Sequence, residues 1–233
     1  ADKLRLVTLF QKQGKTTVMI GDGVNDAPAL AVAELGVALG NTGSEVAQEA
    51  AEIILLDDSF VSIVVGLRQG RHIFYTFKRV ILYFFTTNFT EVLVMLLALG
   101  SGYPVPLIAS QILWLNLVTD GFLDTTLALE EPEPGLLRKT WLKDYPSLIT
   151  RGLVWRVAYM SMLSACFSFG MFVWYLKNGV VLARTMALVT LTCCQWASAI
   201  NCRSLTTSFF SRGIRSNILL MVALVGVVLG QVA

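Results

Sequence analysis

Hydrophobic and polar positions alternate in two different ways along the chain, and the change comes near residue 59. Before it, apolar runs are short. Residues 2–13 carry Leu4, Leu6, Val7, Leu9 and Phe10 at the spacing of a helix buried on one face, and Gly14 ends it. Residues 16–20, 36–39 and 53–56 are brief β-branched and aliphatic runs, which predict buried strands. A helix is expected to start near Pro28, and residues 44–51 predict another. Strand and helix alternate, so a parallel sheet covered on both faces is expected. Three strands are too few for a domain, and residues 1–58 therefore read as one flank of a larger α/β domain.

From residue 59 the apolar runs become long. Residues 59–99 predict one helix of about 40 residues and roughly 60 Å, about twice the hydrocarbon thickness of a bilayer. Its first half is amphipathic and basic, with Arg68, Arg71, Lys78 and Arg79 among Val64, Leu67, Ile73, Phe74 and Phe77. Its second half is almost wholly apolar. Further apolar segments follow, giving five spans at 80–99, 107–129, 153–176, 185–200 and 218–233. The joints differ in charge. The turn at 100–106 has none, and 177–183 has one lysine. The joint at 130–152 carries Arg138, Lys139, Lys143 and Arg151, and that at 201–217 carries Arg203, Arg212 and Arg215. Basic residues thus fall on alternate joints, on the side of residues 1–79, which makes that side cytoplasmic. The expected layout is an α/β segment at 1–58, a cytoplasmic stalk helix at 59–79 and a multi-pass transmembrane bundle at 80–233.

Composition supports an integral membrane protein: 55% of the 233 residues are hydrophobic and 15% charged, with a mean hydropathy of +0.66. Net charge of +2 changes nothing. The four cysteines, Cys166, Cys193, Cys194 and Cys202, show no metal-ligand spacing and read as small apolar packing residues. The lipid bilayer and the remainder of a longer polypeptide are the expected partners, because the chain begins without methionine in mid-helix and stops inside an apolar run. No nucleic-acid partner is expected.

Two constellations carry chemistry. Asp22, Asn25 and Asp26 follow a predicted strand in a glycine-rich turn. Ligands of parallel sheets bind outside the carboxyl ends of strands, and Mg²⁺ needs only one or two protein carboxylates. The same residues are also common in solvated turns, and the residues alone leave both readings open. The second constellation lies in the apolar segments. Asn88 and Glu91 are three apart, and Asn116, Thr119 and Asp120 follow at i, i+3 and i+4, which on an α-helix puts them on one face. Interhelical hydrogen bonding would account for Asn116 and Thr119. Acidic residues in a membrane are too costly for that role alone. Carboxylate, amide and hydroxyl oxygens together suit Ca²⁺.

Residues 21–30 read GDGVNDAPAL, which resembles the hinge motif of the P-type ATPases, cation pumps that form an aspartyl-phosphate. The resemblance covers the whole chain, as the second half of the phosphorylation domain followed by transmembrane helices five to nine. It implies a haloacid-dehalogenase-like Rossmannoid fold for the α/β part, ATP as the energy source and Mg²⁺ as cofactor. By position it makes Asp22 the Mg²⁺ ligand, sets Asn25 and Asp26 around the phosphate, and makes Lys3, nineteen residues before Asp22, the lysine on the phosphoryl group. TNFTEV at 87–92 and WLNLVTDG at 114–121 resemble the ion motifs of the calcium-pump branch. That implies Asn88, Glu91, Asn116, Thr119 and Asp120 as ligands of a transported Ca²⁺, with Gln195 where two-site pumps have a glutamate. One Ca²⁺ per cycle is expected rather than two. Asp124 is an extra carboxylate, one turn nearer the cytoplasm and too far from Glu91 to replace that glutamate. The phosphorylated aspartate and the nucleotide-binding domain would lie upstream, so this chain alone is not expected to hydrolyse ATP. A pump for another cation such as Na⁺ or Mg²⁺ is the nearest alternative. A non-enzymatic membrane protein carrying an α/β sensor segment is the more distant one.

Overall fold

Helix α1 (Asp2–Lys12) stops where Gly14 takes a φ of +71°, a left-handed conformation that glycine adopts readily. In the computed structural model, which describes residues 2–132, 147–204 and 217–232, three short strands follow: β1 (Val18–Gly21), β2 (Leu35–Leu39) and β3 (Ile53–Leu55). They pair in parallel in the order β1-β2-β3, with Val18 opposite Leu35 and Val37 opposite Ile53. The first strand starts two residues later than the hydropathy pattern predicts. Thr16 and Thr17 serve the strand entry instead: the Glu34 carboxylate accepts from the Thr17 N–H at 2.8 Å and from its hydroxyl at 2.5 Å. Those bonds, the hydroxyl first, pull the Glu34 carboxyl from 4.5 down to about 2. A depressed acid stabilises the fold above its unfolded value and loses that contribution as pH falls from about 4.5 to 2.

The crossovers are α2 (Ala27–Val32), entered through a 3₁₀ turn at Val24–Asp26, and α3 (Glu45–Ala50). Ser44 caps α3 by accepting from the Ala47 N–H, as the short polar side chains do at helix starts. Leu30, Ala38 and Ala47 form one small core, and Val7, Ala29 and Ala33 another. Small residues dominate because β2 and the helices approach closely: a Cβ on Gly36 would sit 2.7 Å from the Leu30 carbonyl oxygen.

The chain divides into two compact units, residues 1–70 and 71–233, and the boundary falls within α4 (Phe60–Gly100), a single helix of 41 residues. The second unit is helical. After the turn at 101–108 come α5 (Ala109–Trp114), a π-helical turn (Leu115–Asp120) and α6 (Gly121–Ala128). Then follow α7 (Arg151–Tyr175), a 3₁₀ turn at Leu176–Asn178, α8 (Val180–Cys202) and α9 (Ile218–Val232). Among the described residues, three helical stretches are long and apolar enough to cross a membrane: Phe60–Gly100, Arg151–Asn178 and Val180–Cys202. The predicted segment at 107–129 is continuously helical over 109–128 with the π turn inside it, and the apolar helix described at Ile218–Val227 is shorter than a span. Helix α8 begins five residues before the predicted apolar segment, and Arg184 in its second turn donates to the Val105 carbonyl at 3.0 Å. Arg138, Lys139, Lys143, Arg212 and Arg215, on which part of the topology expectation rests, lie outside the described residues.

Helices α7 and α8 meet along small residues. Ser161, Ser164, Ala165 and Ser168 are buried on α7, facing buried Ala183, Ala187 and Leu191 on α8. Between apolar helices in lipid, small side chains permit the close approach that dispersion needs; the Ser168 hydroxyl donates to the Ala187 carbonyl across this seam at 3.0 Å. The cysteines do not all pack inside as expected: Cys202 is buried, but Cys166 and Cys193 are exposed. Adjacent Cys193 and Cys194 must point apart on a helix, so one is turned outward.

A buried ion pair ties three helix ends together. Arg203, after α8, donates through Nε and Nη2 to the two oxygens of Glu130, after α6, at 3.0 and 3.1 Å. Asn217, ahead of α9, donates to the same carboxylate at 2.8 Å and to the Thr126 carbonyl at 3.0 Å, and accepts from the Leu220 N–H. Glu130 and Arg203 are each 1% exposed. Breaking a buried pair leaves a bare charge, whereas replacing both partners does not. Arg203→Met alone is therefore expected to destabilise by about 3–5 kcal/mol. Glu130→Leu combined with Arg203→Met should melt above that single variant in detergent.

Candidate functional site

In the first unit the site forms on the loop after β1. Gly21 is buried at the strand end and Asp26 packs against it: a Cβ on Gly21 would lie 2.6 Å from the Asp26 Cβ. The 3₁₀ turn at Val24–Asp26 closes with the Asp26 N–H donating to the Gly23 carbonyl at 2.9 Å. Pro28 in the first turn of α2 has no N–H to leave unsatisfied. This turn draws Asp26 inward to 5% exposure, while Asp22 and Asn25 remain exposed. The Asp22 carbonyl accepts from the Ser44 N–H at 2.7 Å, which fixes the backbone beneath the Asp22 carboxylate.

Lys3 reaches this loop from α1. Its Nζ donates to both oxygens of Asp26, at 2.7 and 3.0 Å. The ammonium end stays accessible, with 61% of the Lys3 side chain exposed against 7% for Asp26. Of the four residues named from the sequence for this site, Lys3 and Asp26 are thus joined, and Asp22 and Asn25 stand on the open rim beside them. An exposed carboxylate at a strand end suits Mg²⁺, which keeps much of its water and takes one or two protein carboxylates. Asp26, with both oxygens on Lys3, has less left to offer a metal.

In the second unit the polar cluster lies among apolar helices. Glu91 on α4 is 6% exposed, and each of its oxygens accepts from an amide: Oε2 from Asn116 Nδ2 at 3.1 Å and Oε1 from Gln195 Nε2 at 3.3 Å. Asp120, at the end of the π turn, is 3% exposed, and its Oδ1 accepts from the Tyr83 hydroxyl at 2.9 Å. Three helical elements, α4, the π turn and α8, thereby meet through two carboxylates. Three further oxygens of the cluster, Thr119 Oγ1, Asp120 Oδ2 and Gln195 Oε1, are buried with no hydrogen-bond partner. Such atoms are rare in folded proteins and call for a ligand, a water or an ion.

The expected common face for Asn116, Thr119 and Asp120 assumed an α-helix. The π turn bonds i→i+5 and rotates them apart: Thr119 and Asp120 are buried and Asn116 is largely exposed, with only its amide reaching Glu91. Asn88 makes a bond within its own helix. Its amide donates to the Phe84 carbonyl of its own helix at 2.9 Å, and among the described residues no hydrogen bond joins it to Glu91. The threonines behave as membrane helices require, with Thr86, Thr87 and Thr90 donating to carbonyls of α4. Sequence reading missed Tyr83. The available signal was its spacing, eight residues before Glu91 and so on the same helical stripe. Among the described residues no three His, Cys, Asp or Glu side chains converge on one metal position. A cation here would have to use amide and hydroxyl oxygens beside the carboxylates.

Comparison with known proteins adds two family matches. Residues 104–233 match the family described as "Cation transporting ATPase, C-terminus", and residues 4–63 match "haloacid dehalogenase-like hydrolase". Among curated relatives, the "Calcium-transporting ATPase" of Bacillus subtilis is 36% identical over 97% of this chain and 26% of its own length. The "Probable cation-transporting ATPase F" of Mycobacterium tuberculosis is 39% identical over 92% of this chain and 24% of its own. The human "Calcium-transporting ATPase type 2C member 1" is 33% identical over 98% of this chain and 25% of its own. The chain spans about a quarter of the length of the curated relatives it matches.

The loop after β1 makes one prediction that does not depend on function. Gly21→Ala puts a methyl group into the Asp26 side chain, and such overpacking costs about 1–3 kcal/mol. The variant should melt lower than wild type, and Gly23→Ala, with open space around its Cβ, should not.

Proposed function

Because the chain belongs to the family of cation transporting ATPases, whose C-terminal part it matches, we propose that it is the C-terminal part of an ATP-driven pump that carries Ca²⁺ across a membrane through an aspartyl-phosphate. The observation that carries the cation reading is that three oxygens of this polar cluster, Asp120 Oδ2, Thr119 Oγ1 and Gln195 Oε1, are buried without hydrogen-bond partners. They are oxygens only, from a carboxylate, a hydroxyl and an amide. Hard cations take such donors, and Ca²⁺ accepts six to eight of them in loose geometry. The amide nitrogens now on Glu91 cannot ligate a cation, so Asn116 and Gln195 would have to present their oxygens for Glu91 to share it. One Ca²⁺ per cycle, centred on Asp120, fits this arrangement better than two.

In this reading residues 1–58 are the end of the phosphorylation domain, 59–79 the cytoplasmic stalk and 80–233 the transmembrane bundle, with residues 1–79 on the cytoplasmic side. Bound Mg²⁺ would neutralise phosphoryl oxygens. Asp22 would hold it, Lys3 would bring a positive charge to the phosphoryl group, and Asp26 would orient Lys3 through the 2.7 Å bond. Asn25, exposed on the same rim, would help arrange the phosphate. The chain connection between the two chemistries is α4.

The test uses the full-length protein. Asp22→Asn keeps size and removes charge, and it should abolish Mg²⁺-dependent ATPase activity while leaving the melting temperature near that of wild type. Undiminished activity would remove Asp22 from the phosphoryl site.

A further inference from the structure

Asp124 stands outside the ligand set named so far. It sits on α6, four residues after Asp120, so the two side chains lie over one another on one face. It borders the buried side of that helix, between fully buried Leu123 and Leu127 on one hand and exposed Thr125 on the other. Its Oδ1 is shielded from solvent and has no hydrogen-bond partner, and the same holds for Asp120 Oδ2, whose other oxygen is taken by Tyr83. The two carboxylates are close enough for their charges to interact.

Among the described residues no ion pair involves Asp120 or Asp124: the ion pairs are Lys3 with Asp26 and Arg203 with Glu130. Arg156, the basic group nearest in effect to Cys202, donates to the Asn201 carbonyl and side-chain oxygens. Two like charges one turn apart in a low-dielectric interior, each with a bare oxygen, are costly until a counter-charge arrives. A divalent cation between them supplies it and satisfies both oxygens together.

We propose that Asp124 is a further ligand of the transported cation, which it binds jointly with Asp120. The inference rests on the transport reading above and adds to it the second negative charge of the site. Both charges that balance a divalent ion then come from one stretch of chain, the end of the π turn and the first turn of α6. Glu91, held by the amides of Asn116 and Gln195, is not needed as a counter-charge. Thr119 Oγ1, buried in the preceding turn, would be the neutral donor beside them.

The experiment is equilibrium ⁴⁵Ca²⁺ binding to the full-length protein in detergent without ATP, for wild type, Asp124→Asn and Asp124→Glu. Loss of a mere outer partner of a metal ligand costs about 10–100-fold in affinity, so Asp124→Asn is expected to raise Kd about 100-fold, with Asp124→Glu recovering most of it. Equal Kd for wild type and Asp124→Asn overturns the inference and leaves the transport reading standing. Absence of ⁴⁵Ca²⁺ binding in wild type overturns the Ca²⁺ reading itself, and this inference with it. A second readout needs no mutation: carbodiimide labelling of Asp124 in wild type, quantified by peptide mass spectrometry with and without Ca²⁺. Protection of Asp124 by Ca²⁺ supports the ligand role even if Asp124→Asn folds poorly, and equal labelling in both conditions overturns it.

Discussion

A carboxylate inside a bundle of apolar helices must be answered by another group, and the second unit is arranged around that requirement. Water cannot do it at depth, and a bare buried charge is not tolerated. Glu91 is answered by two amides from different helices, and Asp120 by the Tyr83 hydroxyl. Each bond fixes one helix against another. Gln195 can reach Glu91 only if α8 stands at one height beside α4, and Tyr83 sets α4 against the end of the π turn. The π turn earns its place in the same way, by turning Thr119 and Asp120 inward while Asn116 still reaches Glu91. What Asp120 lacks is a partner for its second oxygen, and that shortfall leaves the cluster room for a ligand.

The Glu130–Arg203–Asn217 network shows the contrasting case. It lies just as deep, yet both carboxylate oxygens, the guanidinium and the amide are engaged in mutual bonds. A satisfied buried network fixes geometry and invites no ligand. It joins the ends of α6 and α8, the elements that carry Asp124 and Gln195. The Lys3–Asp26 pair in the first unit is intermediate: Asp26 is buried and saturated, but the lysine remains accessible to an anion.

Much of this was legible in the chain. Short alternating runs gave three parallel strands, and unbroken apolar runs gave the long helices, because burial pattern follows side-chain periodicity directly. Glu91 and Asp120 announced themselves by their cost in an apolar segment. What escaped was anything set by backbone departures or by tertiary reach. The i, i+3, i+4 argument for Asn116, Thr119 and Asp120 presumes α geometry, and no single residue in LNLVTD signals a π turn. Spacing alone could not show that the Asn88 amide donates to the carbonyl one turn back. Tyr83 looked like one more aromatic in an apolar run, and Arg203 like one more basic loop residue. Their partners, Asp120 and Glu130, lie 37 and 73 positions away along the chain.

The central claim is that a transported cation is bound at Asp120 by the oxygens now lacking partners. The direct measurement is a structure of the full-length protein in saturating Ca²⁺, with the ion located by its density. The account predicts one ion with Asp120 oxygens at about 2.3–2.6 Å, Asp120 Oδ2 no longer bare, and the Gln195 and Asn116 amides still donating to Glu91. An ion held instead between Glu91 and Gln195, or Asp120 left as it is now beside Tyr83, would contradict it.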